Sequence, residues 1–304
     1  MSQNKGLILV LITALVSGMS IFINKFGVSE MNPFVFATMK NLVVGVFLIS
    51  LIFLLKEWRK LVAMSKAQWI KLMAIGLIGG SIPFLLYFYA LNMTSAINAG
   101  FIHKSMFLFI GLFAFVLLKE KMGKNFLIGA CLLFAGNLIL FSDISEFGFA
   151  EILIFIAILF WAGENVLSKH VLTELKATQV AFGRMFFGSL FMIGFLIVTN
   201  QFNLIFELGT MQIQWVLLTS ALLFLYVISW YSGLKYIDVS KAAVILLLGQ
   251  PITALLSFAF LGTGITIIQA AGFLLLLVGV LLVLGISQFI SLIKMPVKLL
   301  AREK

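Results

Sequence analysis

Ten apolar stretches run through the chain, at 6–24, 33–55, 69–90, 95–118, 125–141, 149–168, 178–198, 214–234, 239–261 and 266–286. Each has the roughly 17 to 25 residues that a helix needs to cross a bilayer. Polar and charged residues collect in short segments between them. The pattern predicts an all-α integral membrane protein of ten transmembrane helices.

The pattern also repeats. Residues 91–140 slide onto 234–283 without a gap, matching Leu91 with Leu234, Ala99 with Ala242, Gly129 with Gly272 and Gly136 with Gly279. Leucine matches carry little weight in so apolar a chain, but the paired glycines do, because glycine lets helix backbones approach closely in lipid. Upstream the offset changes by one residue, and Ser17 pairs with Trp161, Ser20 with Glu164, Asn24 with Ser168, Lys25 with Lys169, and Lys40 with Arg184. Each half holds five helices. An odd number makes the second half enter from the other side, so two five-helix inverted-topology repeats are expected, with a pseudo-two-fold axis in the membrane plane. The expected units are 1–141 and 148–293, followed by a basic cytoplasmic tail at 294–304.

Composition agrees with the spans. Hydrophobic residues make up 62% and charged residues 11% of the 304 positions, and the mean hydropathy is +1.19. The net charge of +10 would suit a nucleic-acid partner, but the basic residues sit in short loops, which is the positive-inside pattern and excludes that reading. Alternate connections hold Lys56, Arg59, Lys60 and Lys66, then Lys119, Lys121 and Lys124, then Lys169 and Lys176, then Lys235 and Lys241, and last the tail lysines. The opposite set holds Lys25, Glu30, Asp143, Glu146 and Glu207. Both termini are therefore expected in the cytoplasm, with the lipid bilayer as a partner, and the basic segment 56–71 with Trp58 and Trp69 reads either as lying against anionic headgroups or as a solvated positive loop. The single cysteine, Cys131, leaves no disulfide within the chain and no thiolate metal site. No metal and no cofactor are expected.

Segments 161–169 (WAGENVLSK), 117–121 (LLKEK), 249–255 (GQPITAL) and the paired GxxLxxxG endings resemble the EamA-type branch of the drug/metabolite transporter superfamily. The resemblance covers essentially the whole chain. It implies a ten-helix, five-plus-five carrier that exports amino acids or other small metabolites from a prokaryote across its plasma (inner) membrane. Two positions depart from the pattern: Glu120 has Thr263 as its counterpart, and the proline of 249–255 has Leu108 in the first copy.

Charges within spans are costly and mark function by default. Helical spacing puts Gly100, Lys104, Phe107 and Gly111 on one face of the fourth span, and Ala243, Leu247, Gln250 and Ala254 on its counterpart. Trp161, Glu164 and Ser168 share a face of the sixth span, as Thr13, Ser17, Ser20 and Asn24 do on the first. These four stripes are expected to line one central cavity. At about 1.5 Å per residue, Lys104 lies roughly 13 Å and Glu164 roughly 22 Å from the outer end, an offset of about 9 Å. The two form either a structural ion pair or a substrate or proton path. His103 points about 100° from Lys104 and reads as a packing contact, or as a proton relay. Lys40 and Arg184 read as snorkelling to headgroups. Tyr87 and Tyr89, with Trp230 and Tyr231 opposite, read as interface aromatics, or as walls for an ammonium or an apolar side chain.

The chain lacks a GxxxxGK[ST] loop, and its loops are too short for a nucleotide domain, so energy must come from a gradient. The expected function is a secondary active transporter, not an enzyme, with alternating access around a midplane cavity. Amino acids or related zwitterions are the expected substrate, with a proton as one candidate for a coupling ion that the sequence does not identify. Glu164, Lys104, Trp161, Gln250, Tyr87, Trp230, Ser20, Asn24 and His103 are the expected substrate-binding residues. The alternative is an integral-membrane enzyme acting on a lipid-linked substrate through His103 or Glu164.

Overall fold

A computed structural model describes residues 2–141, 148–262, 264 and 266–285. Asp143, Glu146, Thr263 and the basic tail lie outside them. The described chain folds as α1 (Ser2–Ser29), α2 (Pro33–Leu54), α3 (Trp58–Val62), α4 (Lys66–Gly80), α5 (Ile82–Met93), α6 (Ala96–Leu117) and α7 (Lys124–Phe141), then α8 (Phe149–Val171), α9 (Ala177–Val198), α10 (Thr210–Leu234), α11 (Val239–Leu246), α12 (Gly249–Leu261) and α13 (Ile267–Leu284). Among the described residues, nine stretches are long and apolar enough to span a membrane, and Lys124–Ile139 is a shorter apolar tenth. Among the described residues this is an all-helical, ten-span membrane protein of two inverted five-helix halves, with α3 a single turn between spans.

Two spans that read as continuous are broken. The third divides at Ser81 into α4 and α5, and the ninth divides after Leu246 into α11 and α12. Pro83 stands in the first turn of α5 and Pro251 in that of α12; a proline donates no backbone N–H and clashes with the preceding turn. Their counterparts at the repeat offset are Tyr226 and Leu108. The breaks therefore fall on non-equivalent spans, and the two halves differ where irregular backbone lines the interior.

The repeated glycines meet each other. A Cβ on Gly279 would lie 2.6 Å from Leu133 Cγ and 2.9 Å from Gly129 O, and one on Gly136 would lie 2.9 Å from Gly272 O. Thus α7 and α13, the last spans of the two halves, seal the repeats together by backbone contact. Gly279→Leu is expected to force them apart and to cost about 1–3 kcal/mol, as overpacking does. A thermal melt of the purified protein should show the loss, while Gly194→Ala, where a Cβ meets nothing within 4 Å, should leave the melt unchanged.

Hydrogen bonds at the span ends follow the same symmetry. Lys25 Nζ donates to Leu91 O at 2.8 Å and Thr94 O at 2.7 Å. Its counterpart Lys169 donates to Leu234 O at 2.6 Å and Ile237 O at 2.8 Å. Each cation answers the orphan carbonyls at a helix C-terminus, and the acceptors are themselves repeat partners. Glu120 caps the N-terminus of α11, accepting from Val239 N at 2.9 Å and from Ser240 Oγ at 2.5 Å. On the opposite face Glu151 accepts from Thr94 Oγ1 at 2.7 Å, just before α6. Among the basic loops Glu57 accepts from Lys176 and Thr178. Burial would raise its pKa, but those hydrogen bonds and the Lys176 and Lys60 charges hold it below the usual carboxylate value.

Candidate functional site

The broken third span builds the site. Pro83 cannot donate to the carbonyl four residues back, so Gly79 O is released from the helix ladder. Trp161 Nε1 of α8 donates to it at 2.9 Å and Arg184 Nε of α9 at 3.2 Å. The next carbonyl, Gly80 O, accepts from Asn41 Nδ2 at 2.7 Å. Glu164 lies flat against Gly79, where a Cβ would come within 2.1 Å of its Cγ. One kink thus fixes the tryptophan and the glutamate of α8 and the arginine of α9.

A cavity opens beside this kink at mid-span. Ser17, Ser20, Ile21 and Asn24 of α1 line it, with Lys40 of α2, Phe84, Tyr87 and Phe88 of α5, and His103 and Met106 of α6. Trp161 and Asn165 of α8, Arg184 of α9, and Leu223 and Tyr226 of α10 complete the wall. No lining residue comes from α7 or α13.

Two buried cations face this space. Lys40, 1% exposed, donates to Asn24 Oδ1 at 2.6 Å and lies 4.8 Å from the Phe88 ring centre; Asn24 Nδ2 in turn donates to Ser20 Oγ at 3.0 Å. Among the described residues no acid lies within ion-pair distance of Lys40. Arg184, also buried, has one: its Nη1 lies 3.5 Å from Glu164 Oε2 and donates to Tyr231 Oη at 3.0 Å. Glu164 Oε1 accepts from Tyr231 at 2.6 Å and from Ser168 at 2.5 Å. The snorkelling reading of Lys40 and Arg184 is therefore corrected. Both turn inward, where Asn24 and Glu164 with Gly79 O supply the acceptors that headgroups would otherwise offer.

Of the residues singled out from sequence, Ser20, Asn24, Tyr87, His103 and Trp161 line the cavity, and four do not. Glu164 stands behind Arg184. Lys104 donates to Ser17 Oγ at 2.7 Å and shares a separate small cavity with Ala243 and Leu246 of α11. Trp230 is wholly buried and donates to Asn165 Oδ1 at 2.6 Å. Gln250 is buried in α12. The face of α6 turned to the cavity thus carries His103, against Trp161 at 5.2 Å between ring centres and Tyr87 at 5.7 Å. Tyr87 Oη and His103 Nδ1 have no hydrogen-bond partner among the described residues. Sequence reasoning missed Asn165, Phe84 and Tyr226 as wall residues. For Lys40 and Arg184 the signal existed: two cations at equivalent places in the repeat, each about two turns inside a span.

Ten helices in inverted halves around an aromatic-walled cavity that two buried cations face, beside a broken helix, fit the architecture of a membrane carrier. The EamA-like transporter family matches residues 4–142 and 148–285, and the chain belongs to that family. An uncharacterized transporter of Archaeoglobus fulgidus is 27% identical over 93% of this chain and 98% of its own length. A second from that organism is 28% identical over 90% and 83%, and the uncharacterized transporter YyaM of Bacillus subtilis is 26% identical over 82% and 83%. A solved crystal structure superposes with a TM-score of 0.74 at 18% identity, covering 93% of this chain and 96% of that one, and shares the fold. This protein is a multi-pass membrane transporter.

Proposed function

We propose that the chain is a secondary active transporter of small metabolites that bear a carboxylate and an apolar body, apolar amino acids first among them. The observation that carries the reading is Lys40, a buried ammonium turned into an aromatic-walled cavity with only a neutral side chain for partner. A ligand carboxylate reaching it would make a charge-assisted hydrogen bond in a medium that screens little. Arg184 supplies a second donor. Phe84, Phe88, Trp161 and Tyr226 would pack the apolar body, and an ammonium would find the Tyr87 hydroxyl, His103 Nδ1 and the ring faces.

Lys104 and Glu164, both expected among the substrate-binding residues, do not line the cavity, so neither is assigned a substrate contact. Alternating access would come from the halves rocking about the site, driven by a gradient, with the ties at Lys25 and Lys169 breaking in turn. The basic loops favour both termini in the cytoplasm. Uptake of radiolabelled leucine, phenylalanine, lysine and choline into proteoliposomes tests the reading. Transport of leucine or phenylalanine with neither cation is expected, and transport of choline alone would overturn it.

A further inference from the structure

At the repeat offset Lys40 falls on Arg184, Asn24 on Ser168 and Ser20 on Glu164. The structure shows that these are two versions of one arrangement. A cation from the second span of each half reaches across to the first: Lys40 to Asn24 at 2.6 Å, and Arg184 to Glu164 at 3.5 Å. A serine supports each contact, Ser20 through Asn24 at 3.0 Å and Ser168 through Glu164 at 2.5 Å. One difference separates them. The second copy has a carboxylate where the first has the hydroxyl of Ser20, so Arg184 is neutralised within the protein and Lys40 is not.

The other charged groups around the site do not alter this balance. Lys104 reaches α1 through Ser17 and lies in a separate small cavity with Ala243 and Leu246, outside the lining of this one, and Lys25 and Lys169 are spent on the ends of α5 and α10. The cavity therefore presents one uncompensated positive charge. A molecule with one carboxylate satisfies it; a second carboxylate would be buried without a partner, which is strongly unfavourable.

We propose that Ser20 and Glu164 set the number of carboxylates that the cavity accepts, at one. This rests on the carboxylate reading above and adds a rule of charge selection. A glutamate at position 20 would close on Lys40 as Glu164 does on Arg184 and displace the ligand. Removing the charge of Glu164 would release Arg184 for a second carboxylate.

The test compares acetate with malonate as probes of the purified protein, read as the shift in melting temperature in a carboxylate-free buffer, for wild type, Ser20→Glu, Glu164→Gln and the double variant. Wild type is expected to shift with acetate at least tenfold lower in concentration than with malonate. Ser20→Glu should lose the acetate shift. Glu164→Gln, which melts lower in plain buffer because Arg184 is left alone, should reverse the order in favour of malonate. The double variant should regain acetate, now at Arg184. A wild type indifferent to acetate, or an order unchanged in Glu164→Gln, overturns the rule. Leucine uptake measured in parallel separates the two claims. Correct ordering without uptake sinks the transport reading alone, whereas uptake with unaltered ordering sinks the charge rule alone.

Discussion

Lys40→Met is expected to reduce uptake of a carboxylate substrate by at least about 30-fold and to leave the protein as stable as before, or more so. A hydrogen bond to a charged group contributes about 1.5–3 kcal/mol, and each 1.36 kcal/mol is tenfold in rate or affinity. The loss should be near the upper end because the site is buried among aromatic rings. Stability should not follow activity down. Lys40 is among the largest fully buried side chains, and its partner is the neutral Asn24, so methionine removes a desolvated cation without stranding an opposite charge. A purely structural lysine behaves in the opposite way, losing melting temperature and activity together. Uptake in proteoliposomes beside a thermal melt separates the two, and a variant that melts early with a normal rate per folded molecule would remove Lys40 from the site.

The contrast between that residue and Lys104 shows how far the sequence could be read. Span number, inversion and the repeat were legible because lipid imposes them: apolar length is compulsory, and closely packed helices leave room only for glycine at crossings such as Gly129 with Gly279. The ties at Lys25 and Lys169 lie at equivalent positions for the same reason, since both halves must satisfy the same orphan carbonyls. Which face of α6 turns inward was not legible. A span apolar all round has no polar stripe to point with, and the wheel that grouped Lys104 with Phe107 took a charge as a sign of the cavity. In the fold α11 packs on that face, so the lysine meets Ala243 and Leu246 in a small cavity of its own, and His103 and Met106 take the larger one. Depth misled for a related reason. Counting at 1.5 Å per residue brings Lys104 within about 9 Å of Glu164 in depth, but the kink at Ser81 draws α4 and α9 onto α8, and Arg184 reaches the glutamate first.

Arg184→Met and Glu164→Gln should each damage the protein more than the two changes together. The pair is buried on both sides, with side-chain exposures of 6% and 0%, and breaking such a pair by removing one partner costs about 3–5 kcal/mol because a charge remains without compensation. For Arg184→Met the stranded carboxylate would keep only the Tyr231 and Ser168 hydroxyls. For Glu164→Gln the stranded guanidinium would keep Tyr231 and Gly79 O. Replacing both removes both charges, so the double variant should recover most of the melting temperature, with a coupling in a double-mutant cycle larger than the cost of either single change. Transport should part from stability here. The double variant still lacks the guanidinium that Gly79 O and the kink of α4 and α5 aim into the cavity, so carboxylate uptake should stay at least tenfold below wild type. A pair that served only to hold α8 against α9 would give the other result: uptake would return with the melting temperature, and Arg184 would belong to the scaffold.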